Sequence, residues 1–229
     1  MGKQILITAG GTSEPIDNIR SITNKGTGKL GSLIADELAR FEDVEKIIYL
    51  HGKGSFLPAA DKAELIEIET TEELKHTVKK LTAQYQIDAA IHSMAVSDYT
   101  VSAVVSAKQP SMDLRNQYRK LPSSIDKPMV VLRPTPKILL MFRELLPKAT
   151  IVGFKLLDGV SRDELMDTAY QLLKKNGCDY VLANDYRTVA AGKHTGFLMD
   201  KNKHIQTFSG KEAIAKGIAR AVMEMEIMK

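Results

Sequence analysis

Cysteine is almost absent from this chain, with Cys178 alone in 229 residues. A single thiol cannot close an intramolecular disulfide, so a small disulfide-stapled secreted fold is excluded and a reducing cytoplasm is the expected compartment. Long hydrophobic runs are missing as well: no stretch approaches the ~18 consecutive apolar residues of a membrane span, and the opening residues lack the apolar core of a signal peptide. The five histidines show no metal-ligand spacing, and no Ser-His-Asp or Cys-His set can be read from the residue order. Cys178 itself reads as a small core residue. Internal repeats and low-complexity tracts are also lacking.

An excess of one charge sign is the last absence. The 32 basic and 28 acidic residues leave a formal net charge of +4, and the lysines sit beside acids, as in Lys62 with Glu64 and Lys46 with Glu42. That pattern is a solvated surface rather than a nucleic-acid stripe, and a mild positive balance suits a site for small anionic substrates. What remains is ordinary soluble composition, 44% hydrophobic and 26% charged, in a length that fits one domain over 1–229. A chain of this size buries roughly 70% of its unfolded surface without help from a disulfide or metal.

Runs rich in β-branched and aliphatic residues recur at 4–9, 45–51, 63–69, 88–94, 129–132, 150–155 and 180–183. Helical faces lie between several of them: Leu30, Leu33, Ile34 and Leu38; Leu74, Val78 and Leu81; Leu165, Ala169, Leu172 and Leu173. A final helix carries Ile214, Ile218 and Val222 on one side. This alternation predicts an α/β, Rossmann-like, doubly wound and mostly parallel sheet. Thr70 with Glu73, Ser161 with Glu164 and Ser209 with Glu212 are each spaced as a capping box opening a helix. Two segments depart from the alternation. Residues 100–127 have no period, so a long functional loop is expected there, and 195–199 with 204–208 flank a polar turn as a late β-hairpin.

The densest signal is at the start, where an apolar strand runs into Gly10-Gly11 and a polar stretch leads to Asn24-Lys25-Gly26-Thr27-Gly28-Lys29-Leu30-Gly31. Glycines before a helix let backbone amides approach an anion, and the helix dipole points its positive end at that anion. Gly26-x-Gly28-x-x-Gly31 also has the dinucleotide spacing, but about sixteen residues separate it from the strand it should follow. The second strand ends in His51-Gly52-Lys53 where a ribose-binding acid should stand. An NADP-dependent reductase, with Lys53 on the 2′-phosphate, is therefore the second reading, and a basic nucleic-acid module the third.

The whole string Thr8-Ala9-Gly10-Gly11-Thr12-x-Glu14-Pro15-Ile16-Asp17-x-Ile19-Arg20-x-Ile22-Thr23-Asn24-x-x-Thr27-Gly28-Lys29-x-Gly31 resembles the opening of phosphopantothenate–cysteine ligases. Met94 to Tyr99, Lys120-Leu121-Pro122-Ser123-Ser124, Thr135 to Leu139, Gly153-Phe154 and Ala183-Asn184-Asp185 extend the likeness in collinear order. The family motif begins at residue 5, as in the stand-alone ligases of streptococci and enterococci. The resemblance implies a cytoplasmic homodimer that joins 4′-phosphopantothenate to L-cysteine with CTP and Mg²⁺, for coenzyme A synthesis. ATP serves the eukaryotic members. It implies no flavin, no NAD, no nucleic acid and no membrane, and a separate decarboxylase acting next.

Carried over residue by residue, the resemblance makes Asn24 and Lys120 catalytic, with Lys120 on a flap at about 100–127. It puts the nucleotide on Gly10, Gly11, Thr27, Gly28, Ala95, Asp98, Phe154, Asn184 and one of Lys174 and Lys175, with Asp98 also the candidate Mg²⁺ ligand. Arg20 and Lys155 are candidate substrate contacts, Arg20 having the alternative of bracing Asp17. The hairpin at about 194–208 is the candidate dimerisation element. Two positions depart from the family pattern: Leu157 replaces a usual glutamate, and Gly26 replaces a common serine whose phosphate contact then falls to Thr27.

Overall fold

The computed structural model describes residues 2–190 and 192–224. In chain order the first half contains β1 (Lys3–Ala9), β2 (Ser13–Pro15), β3 (Ser21–Thr23), α1 (Lys29–Leu38), β4 (Val44–Gly52), β5 (Ala63–Ile68), α2 (Thr71–Gln84) and β6 (Ala89–His92). Then follow β7 (Tyr99–Ser106), β8 (Pro128–Pro134), α3 (Ile138–Leu145), β9 (Thr150–Leu157), α4 (Arg162–Asn176), β10 (Tyr180–Asp185), α5 (Tyr186–Ala190), β11 (Thr195–Asp200), β12 (Ile205–Ser209) and α6 (Lys211–Glu224). Eight strands form one sheet in the order β12-β11-β10-β9-β6-β1-β4-β5. The six from β10 to β5 are parallel, and β11 and β12 add antiparallel to β10. No helix among the described residues is long and apolar enough to cross a membrane.

Burial on both faces explains the unbroken apolar strands. Ile5, Ile7 and Ala9 of β1 join the core under α1 and α6, whereas Leu6 joins the core under α2, α3 and α4. Two of the expected helix caps form: Thr70 and Ser161 accept from the amides of Glu73 and Glu164 at 3.1 and 3.2 Å, while the Glu73 carboxylate accepts from the Glu69 amide at 2.8 Å. The third does not. Ser209 is the last residue of β12, and Gly210, at φ 90°, takes the cap position by accepting from the Ile214 amide. The β11–β12 hairpin takes its expected place beside the parallel strands, with Leu198 and Met199 buried and Ile205 exposed.

The aperiodic stretch is the main correction. Residues 99–106 are a strand, and the apolar run 129–132 lies outside the main sheet, paired antiparallel to it as a two-stranded ribbon from Tyr99–Pro134 to Ser106–Pro128. A shift in register between Val101 and Ala103 breaks the period-2 pattern that would have revealed β7. Residues 107–127 between these strands fold as a lid with a small core of their own: Leu114 and Leu121 are buried with Val101 and Val104, against Ile16 and Ile22 of the β2–β3 pair. Within the lid, Asp113 caps a short 3₁₀ turn and binds the Val104 amide, and the Arg115 guanidinium draws its carboxyl down to about 2.

Candidate active site at the switch point of the sheet

Strand order reverses at β1, which has β4 on one side and β6 on the other, and the crevice beyond the carboxyl ends of these strands is where open α/β sheets take ligands. Three connections converge on it: residues 10–28 after β1, 93–98 after β6 and 135–137 after β8. Gly11 and Ala95 bridge as parallel partners, the Ala95 amide donates to the Gly10 carbonyl at 2.8 Å, and the Ala95 carbonyl accepts from the Thr12 amide and from Asn24 Nδ2, both at 3.2 Å. Thr12 Oγ1 accepts from the Ser97 amide at 2.9 Å, and Thr135 Oγ1 donates to the Ser97 carbonyl at 2.5 Å. Asn24 is thus held with its amide beside a backbone carbonyl in the crevice.

Buried Glu14 fixes the base of this arrangement by accepting from the amide and hydroxyl of Thr71 at the start of α2, at 2.9 and 2.7 Å. A carboxylate there satisfies orphan donors and complements the positive end of the helix.

The glycines serve close approach between loops more than an open cradle. Gly10 sits at φ 83°, and a Cβ on it would lie 1.9 Å from Ser55 Oγ, on the loop after β4. A Cβ on Gly26 would lie 2.3 Å from the Gly10 carbonyl oxygen. α1 begins at Lys29 with Gly28 as its cap, slightly later than the sequence suggests, and among the described residues no acceptor takes the amide hydrogens of Gly28 or Leu30. Those open donors, with exposed Thr27 beside them, lie where the sequence motif predicts a phosphate-binding element. Gly26→Ala should force the two loops apart, costing about 2 kcal/mol in urea unfolding and raising the nucleotide KM, since overpacking against backbone has no rotamer escape.

Asp98 ends the β6 connection exposed, with Lys137 Nζ at 2.5 Å from Oδ1. Lys137 lies 39 residues from Asp98 in the chain, and only the fold brings the two together. Among the described residues no group of three or more His, Cys, Asp or Glu could hold a metal, and Asp98 stands as a single carboxylate.

The segment that carries Lys120 is fastened to the β2–β3 turn. The Asn18 amide donates to the Arg119 carbonyl at 3.0 Å, the Leu121 amide to Asp17 Oδ2 at 3.0 Å, and Arg20 Nη2 to the Leu121 carbonyl at 2.7 Å. Arg20 does brace Asp17, through Nε at 3.0 Å and Nη2 at 2.6 Å. The Arg20 guanidinium beside it, with three backbone amides, holds the Asp17 carboxyl well below the usual carboxylate range.

On the other flank, β9 and β10 present Phe154, Lys155 and Asn184 near their carboxyl ends. Phe154 also packs, partly buried, against the core under α1 and α6. Asp185 Oδ1 accepts from the Gly159 and Arg187 amides, both at 2.9 Å, and these bonds hold its carboxyl below the usual carboxylate pKa. The Arg187 guanidinium lies over Gly159, an additional cation at this end that no sequence motif signalled. Lys174 and Lys175 are not brought here. They end α4, which runs back to the amino end of β10, and Lys174 lies 5.7 Å from the Tyr170 ring, which also meets Lys203 of the β11–β12 turn. Within one copy of the chain they lie at the opposite edge of the sheet.

Comparison with known proteins agrees with this geometry. Residues 1–225 match the family model described as the DNA/pantothenate metabolism flavoprotein C-terminal domain. Among curated proteins, the coenzyme A biosynthesis bifunctional protein CoaBC of Thermococcus kodakarensis is 33% identical over 202 residues, covering 88% of this chain and 46% of its own. The chain therefore spans less than half the length of that relative. Among solved structures, the DNA/pantothenate metabolism flavoprotein from Streptococcus pneumoniae superposes with a TM-score of 0.85 at 33% identity, over 98% of this chain and 100% of that one. A Cab2 variant in complex with phosphopantothenate-cysteine shares the fold, with a TM-score of 0.74 at 20% identity over 99% of this chain and 87% of that one.

Proposed function

Because this chain belongs to the DNA/pantothenate metabolism flavoprotein C-terminal domain family, we propose that it is a phosphopantothenate–cysteine ligase of coenzyme A synthesis. In the first step a carboxylate oxygen of 4′-phosphopantothenate attacks the α-phosphorus of CTP, the bond to the departing pyrophosphate breaks, and an acyl-cytidylate forms. In the second, the amine of L-cysteine attacks the acyl carbon, the bond to CMP breaks, and the amine gives up a proton as the amide forms. Neither step moves electrons between redox states, so flavin and NAD have no part in it.

What supports this is that Asn24 is held on the Ala95 carbonyl in the crevice while the Lys120 segment is tied, by the Leu121 amide on Asp17 104 residues away, to the turn from which β3 leads to Asn24. Bringing a carboxylate to a triphosphate needs cations and neutral donors more than nucleophiles. Lys120, Lys137, Lys155 and Arg187 are among the cations available for this, the open amides at the start of α1 would meet phosphate, and Asn24 donates without adding charge. Mg²⁺ entering with the triphosphate would be held by Asp98, where it offsets negative charge on the phosphates. The proposed cytoplasmic homodimer rests on the family, with the β11–β12 hairpin as its proposed contact.

The direct test mixes protein, Mg²⁺, 4′-phosphopantothenate, L-cysteine and either CTP or ATP. Release of pyrophosphate with amide product is expected, faster with CTP; absence of both products with either nucleotide sinks the proposal. Lys137→Ala should raise the nucleotide KM about tenfold with little change in kcat. Its stability should stay within about 0.5 kcal/mol, because an ion pair this exposed adds little to folding.

A further inference from the structure

Building on the ligase reading, we infer that Asp17 and Arg20 are positioning residues, a latch that holds the lid lysine Lys120 in register with the strand that leads to Asn24. The Asp17 side chain is fully buried and takes five N–H donors. Oδ1 serves the turn itself, accepting from the Ile19 and Arg20 amides at 2.9 and 2.8 Å. Oδ2 serves something else: it accepts from the Arg20 guanidinium and from the Leu121 amide of the lid. A carboxylate needed only for a local turn would have no reason to bind the lid.

Arg20 extends the same grip. Its Nη2 donates both to Asp17 and, at 2.7 Å, to the Leu121 carbonyl, so one guanidinium bridges the turn and the lid. With the Asn18 amide on the Arg119 carbonyl, both chain neighbours of Lys120 are held while its own ammonium has no partner among the described residues. Buried Leu121 adds apolar contact with Ile16 and Ile22 on either side of the turn. From Arg20 the chain runs directly through β3 to Asn24, so displacing the turn moves Asn24 and Lys120 together. The opposite charges of Asp17 and Arg20 cancel, so the latch adds no net charge beside Lys120.

The test uses the full chain with Asp17→Asn and, separately, Arg20→Gln, whose half-exposed side chain can change without disturbing the core. Hydrogen exchange at the Leu121 amide should accelerate about tenfold or more in both variants. Because loss of placement acts on the reacting geometry, kcat should fall about tenfold while the nucleotide KM changes less than about twofold. Arg20→Lys should not rescue it, since an ammonium cannot bridge Asp17 and the Leu121 carbonyl as a planar fork does. Unchanged exchange in Arg20→Gln would remove the latch; faster exchange with unchanged kcat would remove its positioning role. Exchange is measured without substrate, so a wild-type chain without ligase turnover overturns the ligase assignment and still leaves the latch to be judged at Leu121.

Discussion

Asn24→Asp should lower amide formation by about 100-fold or more, the scale on which removing one donor from a charge-stabilising site reduces turnover. The substitution keeps size and shape but replaces an N–H donor by a carboxylate oxygen, 3.2 Å from the Ala95 carbonyl that the amide now satisfies. The new charge would also face an acyl-nucleotide that is itself anionic. The second half-reaction should suffer most, because the acyl carbonyl and the departing nucleotide gain charge there. Pyrophosphate release in a single turnover should persist more than amide formation does. Far-ultraviolet circular dichroism should be unchanged, since Asn24 lies outside the sheet and helices. Wild-type amide formation by the variant would remove Asn24 from the mechanism.

Acid should destabilise the folded chain through His92, by about 3 kcal/mol. His92 ends β6 buried, its Nδ1 2.6 Å from Thr8 Oγ1 and its ring tilted against Phe142 at 5.3 Å. Burial lowers its pKa from 6.5 to about 4. Above pH 6.5 both the folded and the unfolded histidine are neutral, and the full stability is present. As pH falls below that, the unfolded chain takes a proton that the folded chain refuses until about pH 4, so stability declines through this window and the contribution then levels off. Urea unfolding at several pH values checks it against His92→Gln, which cannot titrate. The wild-type decline should be steeper by the stated amount; parallel curves would show that the folded protein protonates His92 as readily as the unfolded chain.

Much of the fold was legible because hydrophobic period and sheet type are coupled. A continuous run such as Ile5-Leu6-Ile7 is stable only where helices cover both faces, and the helical stripes between such runs supply that cover. The β7–β8 ribbon escaped for the converse reason. Met129 to Leu132 are apolar yet 40–45% exposed in a two-stranded ribbon, so their composition mimics a core strand while their surroundings do not. Ser209 and Glu212 have the spacing of a cap, but Gly210 accepts the left-handed turn between strand and helix more easily.

The candidate site divides along the same line. Residues within one loop, such as Gly10, Gly11, Asn24, Thr27 and Gly28, are close in the chain, and a motif captures their relation. Lys174 and Lys175 could not be placed that way. A helix packed antiparallel to its preceding strand carries its last turn away from the carboxyl ends, and sequence spacing is silent on which end that is.

By itself the sequence determined the parallel α/β class, the strand–glycine–helix entry to the site and the family resemblance, all of which are encoded in neighbouring residues. Tertiary structure alone decided that Ala95 satisfies Asn24, that Lys137 meets Asp98, and that Asp17 and Arg20 hold the lid beside Lys120. These pairs lie 39 to 104 residues apart. A hydrogen bond acts over about 3 Å, so only the path of the folded chain determines which distant donors and acceptors come within reach.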